Sequence, residues 1–155
     1  MRNDDRSGCG FFSVLEKSVR PAGRRCAFSL RNALAGDACS VANYELILDG
    51  DAVTLKDSVS PEELAELLSG DFLLTCGAFF FYPAQAAGGP LGTWEDYLAS
   101  PCQAAVLVHD VGFFKIYSKE EQYLQKCLTF LNQMGPDVEV EIIEESNRFR
   151  DSFAL

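Results

Sequence analysis

The stretch that decides the fold is FLLTCGAFFFYP, residues 72–83, which places five aromatic side chains and one cysteine in twelve positions. Taken alternately, its residues form two sets, and both are apolar, as in a strand covered on both faces. Gly77 indicates a β-bulge or a close backbone approach. The stretch therefore predicts a central core strand rather than the wall of a ligand site. The two sets are Phe72, Leu74, Cys76, Ala78, Phe80, Tyr82 and Leu73, Thr75, Gly77, Phe79, Phe81.

Helix signals flank this strand on both sides. A serine or threonine followed three residues later by an acidic residue can cap the free amides of a helix start. Apolar spacing predicts a further helix near the N-terminus, ended by a proline. The predicted helices are 11–19, 60–70 (Ser60 with Glu63), 93–100 (Thr93 with Asp96) and 118–135 (Ser118 with Glu121).

The remaining apolar segments predict strands, and short turns between them favour antiparallel neighbours. We therefore expect an α+β fold, with a single mainly antiparallel sheet and helices packed chiefly on one face. Residues 1–8 are polar and expected to be disordered, and residues 9–155 are expected to form one domain. The predicted strands are 26–30, 44–49, 102–110, 111–118 and 137–143.

The charge of the chain is unevenly distributed. Residues 1–31 carry seven basic and three acidic residues, a net charge of +4, and the remainder carries 6 basic and 20 acidic residues, a net charge of −14. An acidic body repels phosphate backbones, so nucleic acid is excluded as the expected partner. The expected partner is another protein, or a second copy in a homodimer. The basic segment can neutralise the acidic surface of the same chain or bind an anion or a partner.

Cysteine and histidine usage indicates a reduced protein without a metal or cofactor. The chain has six cysteines, no pair at CxxC spacing and a single histidine, so it lacks the usual zinc patterns. Its N-terminus has no apolar run of signal-peptide length, and no run could span a membrane. We expect a cytoplasmic protein that does not enter the membrane.

Few residues are candidates for a catalytic or ligand-binding role. A Cys/His hydrolase would pair Cys76 as nucleophile with the only imidazole, His109, but nothing around Cys76 resembles a nucleophile motif. The glycine-rich loop 83–93 and Trp94 could instead bind a small molecule, although the favoured role of Trp94 is to anchor that loop to the core. Arg148 and Arg150 lie among aromatic residues and could clamp a carboxylate or a partner, or pair with nearby glutamates.

The second half of the chain resembles a small family of uncharacterised bacterial proteins. The similarity spans residues 60–153 and rests on the order of elements, on spaced residues after the loop, and on an acidic tail followed by arginines. It implies a bacterial cytoplasmic setting and supplies no activity, cofactor or catalytic residue. The spaced residues are Trp94, Tyr97-Leu98 and Cys102-Gln103.

These observations favour a small acidic protein that binds another protein and catalyses nothing, in the manner of an inhibitor, immunity or regulatory protein. The alternative is a small-molecule-binding domain or a modest Cys/His hydrolase, which would use loop 83–93, Trp94, His109 and Cys76.

Overall fold

The computed structural model describes residues 10–16, 38–68, 72–84, 86, 88–109, 113–133 and 138–143. Eight strands and three helices lie in these ranges. The strands are β1 Gly10–Glu16, β2 Ala38–Leu48, β3 Asp51–Ala52, β4 Ser58–Val59, β5 Phe72–Tyr82, β6 Ala104–His109, β7 Phe113–Ser118 and β8 Val138–Ile143. The helices are α1 Pro61–Leu67, α2 Trp94–Ala99 and α3 Glu121–Asn132.

The eight strands form one sheet in the order β3-β2-β5-β6-β7-β1-β8, with β4 also paired to β2. Every pairing in the sheet is antiparallel. The aromatic strand β5 lies between β2 and β6, so it is an interior strand as its sequence predicts. The prediction of a single antiparallel sheet combined with helices is confirmed.

Side chains on the two faces of the sheet form two separate cores. Leu64 of α1 and Tyr123 of α3 join a cluster that contains Phe79 of β5. Trp94 and Tyr97 of α2 join a second cluster, on the opposite face of β5, which contains Phe80 and Tyr82. The predicted coverage of β5 on both faces is therefore correct. The placement of helices chiefly on one face stays a prediction, as does the single-domain organisation of residues 9–155.

A pair of compensating bulges interrupts the pairing of β2 with β5. Ala42 pairs with Ala78, Glu45 with Cys76, and Leu46 with Leu74. Strand β2 therefore has one extra residue between the first two pairs, and β5 has one extra residue, Thr75, between the next two. The first register shift lies in β2 opposite Gly77 and the second lies at Thr75, so the structure has a bulge beside Gly77, one of the two alternatives predicted there.

The bulges also change the face of the sheet on which the residues of β5 before Thr75 lie. Leu74 shares a cluster with Phe79, although the two are separated by an odd number of positions. The two strictly alternating sets predicted from the sequence are therefore wrong at Phe72 and Leu74, which pack with the other set. An extra residue in a strand moves everything beyond it to the opposite face.

The N-terminal segment is a strand and not the predicted helix. Residues 10–16 form β1, which pairs with β7 on one side and β8 on the other. The helix predicted over 11–19 was wrong because FFSVL also alternates, and the β-branched and aromatic residues favour a strand once two partner strands are present. A helix as short as the predicted one has little intrinsic stability without tertiary packing.

Two other boundaries differ from the predictions. Strand β2 begins at Ala38, within the segment predicted to connect two strands, while the partner strand predicted over 26–30 lies outside the described residues. Ser118 ends β7 instead of capping a helix, and its hydroxyl accepts a hydrogen bond from the Glu120 amide at 3.0 Å. Helix α3 consequently begins at Glu121.

The predicted helix starts at Ser60 and Thr93 are confirmed. The Ser60 hydroxyl accepts from the Glu63 amide at 3.1 Å, and the Glu63 carboxylate accepts from the Ser60 amide at 3.2 Å. The Thr93 hydroxyl accepts from the Asp96 amide at 3.1 Å. These local bonds fix where α1 and α2 begin.

Candidate functional site

A cleft of about 440 Å³ lies between α1 and the segment that joins β3 to it. Clefts of this size accommodate a small molecule or a side chain of a partner. One wall combines four residues of the joining segment with β4, and the other is the exposed side of α1. The lining residues are Val53, Thr54, Leu55, Lys56 and Val59 on the first wall, and Glu63, Glu66 and Leu67 on the second.

Backbone hydrogen bonds hold the first wall against β2. The Val53 amide donates to the Leu46 carbonyl at 3.0 Å, and the Val41 amide donates to the Asp57 carbonyl at 3.1 Å. Between these anchors, the Tyr44 hydroxyl bonds to the backbone of Leu55. Because the segment is fixed at three points along its length, the wall is preformed.

The bulge in β2 directs this tyrosine into position. Asn43 adopts a left-handed backbone conformation with φ of 50°, which asparagine tolerates better than most residues. The extra residue turns Tyr44 to the face of the sheet on which Leu46 lies. The Tyr44 ring packs there against the cluster that also contains Leu64 of α1. The bulge thus links the register of the sheet to the wall of the cleft.

The exposed surface of residues 38–68, the segment that forms the cleft, is strongly acidic. Residues 38–68 contain seven carboxylates and one ammonium group, a net charge of −6, and all eight side chains are exposed. Of these charged residues, Glu63, Glu66 and Lys56 line the cleft. The other five lie elsewhere on the same segment, and the apolar part of the cleft lining consists of valine and leucine side chains. The acidic residues are Glu45, Asp49, Asp51, Asp57, Glu62, Glu63 and Glu66, and the basic residue is Lys56.

Cys76 and His109 occupy neighbouring backbone positions in the sheet. Gly77 pairs with Val108, so one further step in this antiparallel register sets residue 76 opposite residue 109. Cys76 is a free, partly exposed cysteine, and on its other side it pairs with Glu45. The β5–β6 pairing ends at Gly77 and Val108, so the two candidate positions are the next residues beyond its end on adjacent strands, and their use in catalysis stays a prediction.

Trp94 is buried, with 4% of its surface exposed. Its ring centroid lies 5.4 Å from that of Tyr97 and 5.8 Å from that of Tyr117. This packing agrees with the predicted role as an anchor of loop 83–93, whereas the predicted ligand contact remains untested. The loop is held further by the Tyr82 hydroxyl, which donates to the Gly89 carbonyl at 2.5 Å.

Cys102 lies beneath this aromatic group and is fully buried. Burial raises the pKa of its thiol to about 12, and this effect outweighs the opposing influence of Lys119 and of hydrogen bonds between the thiol and the backbones of Phe81 and Ala104. A thiol with such a pKa is not a nucleophile at neutral pH. Cys39 is also fully buried, so Cys76 is the accessible thiol among the three whose side chains the structure describes.

Arg148 and Arg150 lie outside the described residues, so their predicted contact with a partner stays a prediction. Across the ranges that the structure describes, no three His, Cys, Asp or Glu side chains are grouped to hold a metal ion. None of the helices in those ranges has the length and apolar character required to cross a membrane.

The cleft itself was missed from the sequence. Its second wall is the helix in which Glu63 was explained as the capping partner of Ser60. That explanation holds for the Glu63 carboxylate, which bonds to the Ser60 amide. The missed signal was the density of acids from Glu45 to Glu66, interrupted by a single lysine and interleaved with valine and leucine.

A family model for proteins of unknown function, DUF2691, matches residues 56–154. This range includes most of the cleft, α2 and β6 to β8, and agrees with the resemblance found over residues 60–153. No significant match to the chain was found among curated proteins or among solved structures. Since the match covers well over half of the chain, the protein belongs to the DUF2691 family of proteins of unknown function.

Proposed function

We propose that this is a non-enzymatic interaction protein of the bacterial cytoplasm that binds a basic protein partner through the acidic surface of residues 38–68. The observation that carries the proposal is the exposure of seven carboxylates and one ammonium group within residues 38–68. A surface of one predominant charge steers an oppositely charged partner and disfavours others. The overall charge of −10 acts in the same direction.

The construction of this surface supports binding to a macromolecule. The acidic residues lie on β2, β3, α1 and the segment between them, which backbone bonds and the Tyr44 hydroxyl hold together. A preformed surface loses little conformational freedom on association. A second copy of the chain would present the same negative charge here, so this surface suits a different, basic protein.

Charge reversal tests the proposal. The variant Asp51→Lys/Asp57→Lys/Glu62→Lys changes three exposed acids that do not line the cleft. The control Glu95→Lys/Asp96→Lys/Glu120→Lys makes the same change in net charge near α2 and α3. Tagged wild-type protein and both variants are used to capture partners at low salt from cells of the source organism, and captured proteins are then purified and titrated by calorimetry.

The expected result is a basic protein that binds the wild type and the control, is lost with the first variant, and dissociates as the salt concentration rises. Equal binding to both variants, or a partner whose affinity is independent of salt, would contradict the proposal.

The juxtaposition of positions 76 and 109 favours a second candidate, a Cys/His hydrolase. Cys76 is free and partly exposed, which a nucleophile requires. Hydrolysis of p-nitrophenyl acetate by the wild type, Cys76→Ser and His109→Ala tests it. A rate that both substitutions lower at least about a hundredfold supports a thiol–imidazole pair, and equal rates in all three exclude it.

A further inference from the structure

We propose that the cleft between α1 and residues 53–59 receives a lysine side chain from the basic partner protein. This inference rests on the proposed function, because it specifies which group of a basic partner the acidic surface recognises. Neither the position of the cleft nor the chemistry of its walls depends on that function, however, so the two can be tested separately.

The shape and chemistry of the cleft fit an alkyl chain that ends in a cation. Val53, Leu55 and Leu67 offer half-buried apolar surface, and Val59 is buried at 6% exposure. Lysine buries its four-carbon stem along such surface while its ammonium group stays near water. The apolar side chains therefore account for the stem of the proposed ligand.

Carboxylates stand at the exposed side of the same cleft. Glu63 and Glu66 are three residues apart on α1, so they project from one side of the helix, and both line the cleft. Leu67 follows on the same side of the helix. An ammonium group at the end of an alkyl stem packed on Leu67 would thus meet negative charge, whereas a carboxylate ligand would be repelled.

Lysine fits this arrangement better than arginine. One oxygen of Glu63 already accepts a hydrogen bond from the Ser60 amide at 3.2 Å, which fixes the orientation of this carboxylate and makes a paired bond with a guanidinium fork less favourable. A compact ammonium group requires no such paired geometry and can lie between two carboxylates.

Lys56 provides an internal check on the electrostatics. It lines the cleft and is the one basic residue in the surrounding acidic surface. If the ligand is a cation, removal of the Lys56 charge should strengthen binding, while removal of the Glu66 charge should weaken it. A ligand held by apolar contact alone would not respond with opposite signs to the two changes.

The probe for the test is the capped peptide acetyl-Gly-Gly-Lys-Gly-Gly-amide, compared with the same peptide carrying norleucine, which has the alkyl stem without the charge. Binding to the full chain is followed by the amide resonances of residues 53–59 and 63–67 in NMR titrations at low salt. The variants are Glu66→Gln and Lys56→Gln. The matched control is Glu62→Gln, an exposed acid on α1 that does not line the cleft.

The lysine peptide should shift these resonances saturably. The norleucine peptide should bind at least about fivefold more weakly than the lysine peptide. Glu66→Gln should weaken binding of the lysine peptide about two- to fivefold, Lys56→Gln should strengthen it by a similar factor, and Glu62→Gln should change it less than either. Retained folding of each variant is confirmed by its spectrum.

Several outcomes would overturn the inference. These are equal binding of both peptides, no saturable shift at tens of millimolar lysine peptide, or changes of the same sign in Glu66→Gln and Lys56→Gln. Saturable binding of n-butylamine without binding of the peptide would assign the cleft to a free amine instead. Binding of the peptide only after Arg24→Gln/Arg25→Gln would mean that the basic segment of the same chain occupies the cleft.

The two proposals can fail separately. Capture of a basic partner through Asp51, Asp57 and Glu62 with no response of the cleft to lysine would retain the proposed function and remove the inference. Specific lysine binding in the cleft, without any partner whose binding depends on the acidic surface, would retain the inference and remove the proposed function.

Discussion

The hydroxyl group of Tyr44 makes two hydrogen bonds with the backbone of Leu55, accepting from its amide at 2.6 Å and donating to its carbonyl at 3.2 Å. One side chain thereby satisfies both polar groups of a half-buried residue in the wall of the cleft. Tyr44 stands at a bulge of β2, so the geometry of the sheet determines where this wall lies.

Substitution of Tyr44 by phenylalanine should destabilise the protein by about 1–3 kcal/mol, because the Leu55 amide and carbonyl lose their partner while the ring stays packed. Urea denaturation measures the free energy of unfolding, and the Leu55 amide should exchange with solvent faster than in the wild type. Lys56→Gln, which changes an exposed side chain in the same segment and leaves the Tyr44 hydroxyl in place, serves as the control. Unchanged Leu55 exchange in Tyr44→Phe would show that these bonds do not hold the wall.

Gly77→Ala should destabilise the core, because a Cβ atom at this position would lie 2.8 Å from Cε2 of Phe79 and 3.4 Å from Cβ of Tyr44. The Phe79 ring is buried and cannot move without disturbing its neighbours, so a cost of about 1–3 kcal/mol is expected. Gly92→Ala is the matched control, since a Cβ atom there meets nothing within 4 Å. Similar urea midpoints for the two variants would contradict the close approach at Gly77.

Iodoacetamide at neutral pH should modify Cys76 well before Cys39 or Cys102. Cys76 is partly exposed, whereas the other two thiols are fully buried and burial raises the pKa of Cys102 to about 12. Mass spectrometry of peptides from protein labelled for increasing times measures the three rates. The same reaction in urea should remove the difference, and native labelling of Cys102 as fast as Cys76 would refute the buried placement of Cys102.

Alkaline pH should lower the stability of the fold. Burial raises the pKa of Cys102 from 9.0 to about 12 and that of Tyr117 from 10.0 to about 12. The unfolded chain releases these protons at the lower values, so their contribution to stability is complete below about pH 9 and is lost as the pH rises toward about 12.

Urea midpoints measured from about pH 8 to about pH 11 should therefore decrease. In Cys102→Ala the decrease should be smaller between about pH 9 and about pH 9.5, where the tyrosine of the unfolded chain is still largely protonated. A midpoint that does not change with pH, or an equal slope in the variant, would contradict the raised thiol pKa.

Local signals predicted local structure well. The capping residues Ser60 and Thr93 bond to amides three residues away, so the sequence alone contains everything that fixes those helix starts. The core position of Phe79 to Tyr82 was predictable because an unbroken apolar run can be satisfied only in the interior.

Features that depend on distant partners were not predictable. Residues 10–16 become a strand because β7 and β8 accept them on both sides, and those strands lie in the second half of the chain. Gly77 indicated a bulge, but the face reversal at Thr75 depends on the extra residue near Asn43 in the neighbouring strand. The cleft joins one helix to a segment that precedes it, and periodicity within either element contains no information about the space between them.

The paired bulges also constrain how the length of this chain can vary. Loss of Asn43 alone, or of Thr75 alone, would move the side chains of half of one strand to the opposite face of the sheet relative to the neighbouring strand. Apolar side chains would then be displaced from the core that they now occupy. Loss of both would cancel, because the remaining residues pair in regular succession with Tyr44 opposite Gly77 and every side chain on its present side. Insertions and deletions at these two sites should therefore be tolerated, and inherited, as a pair.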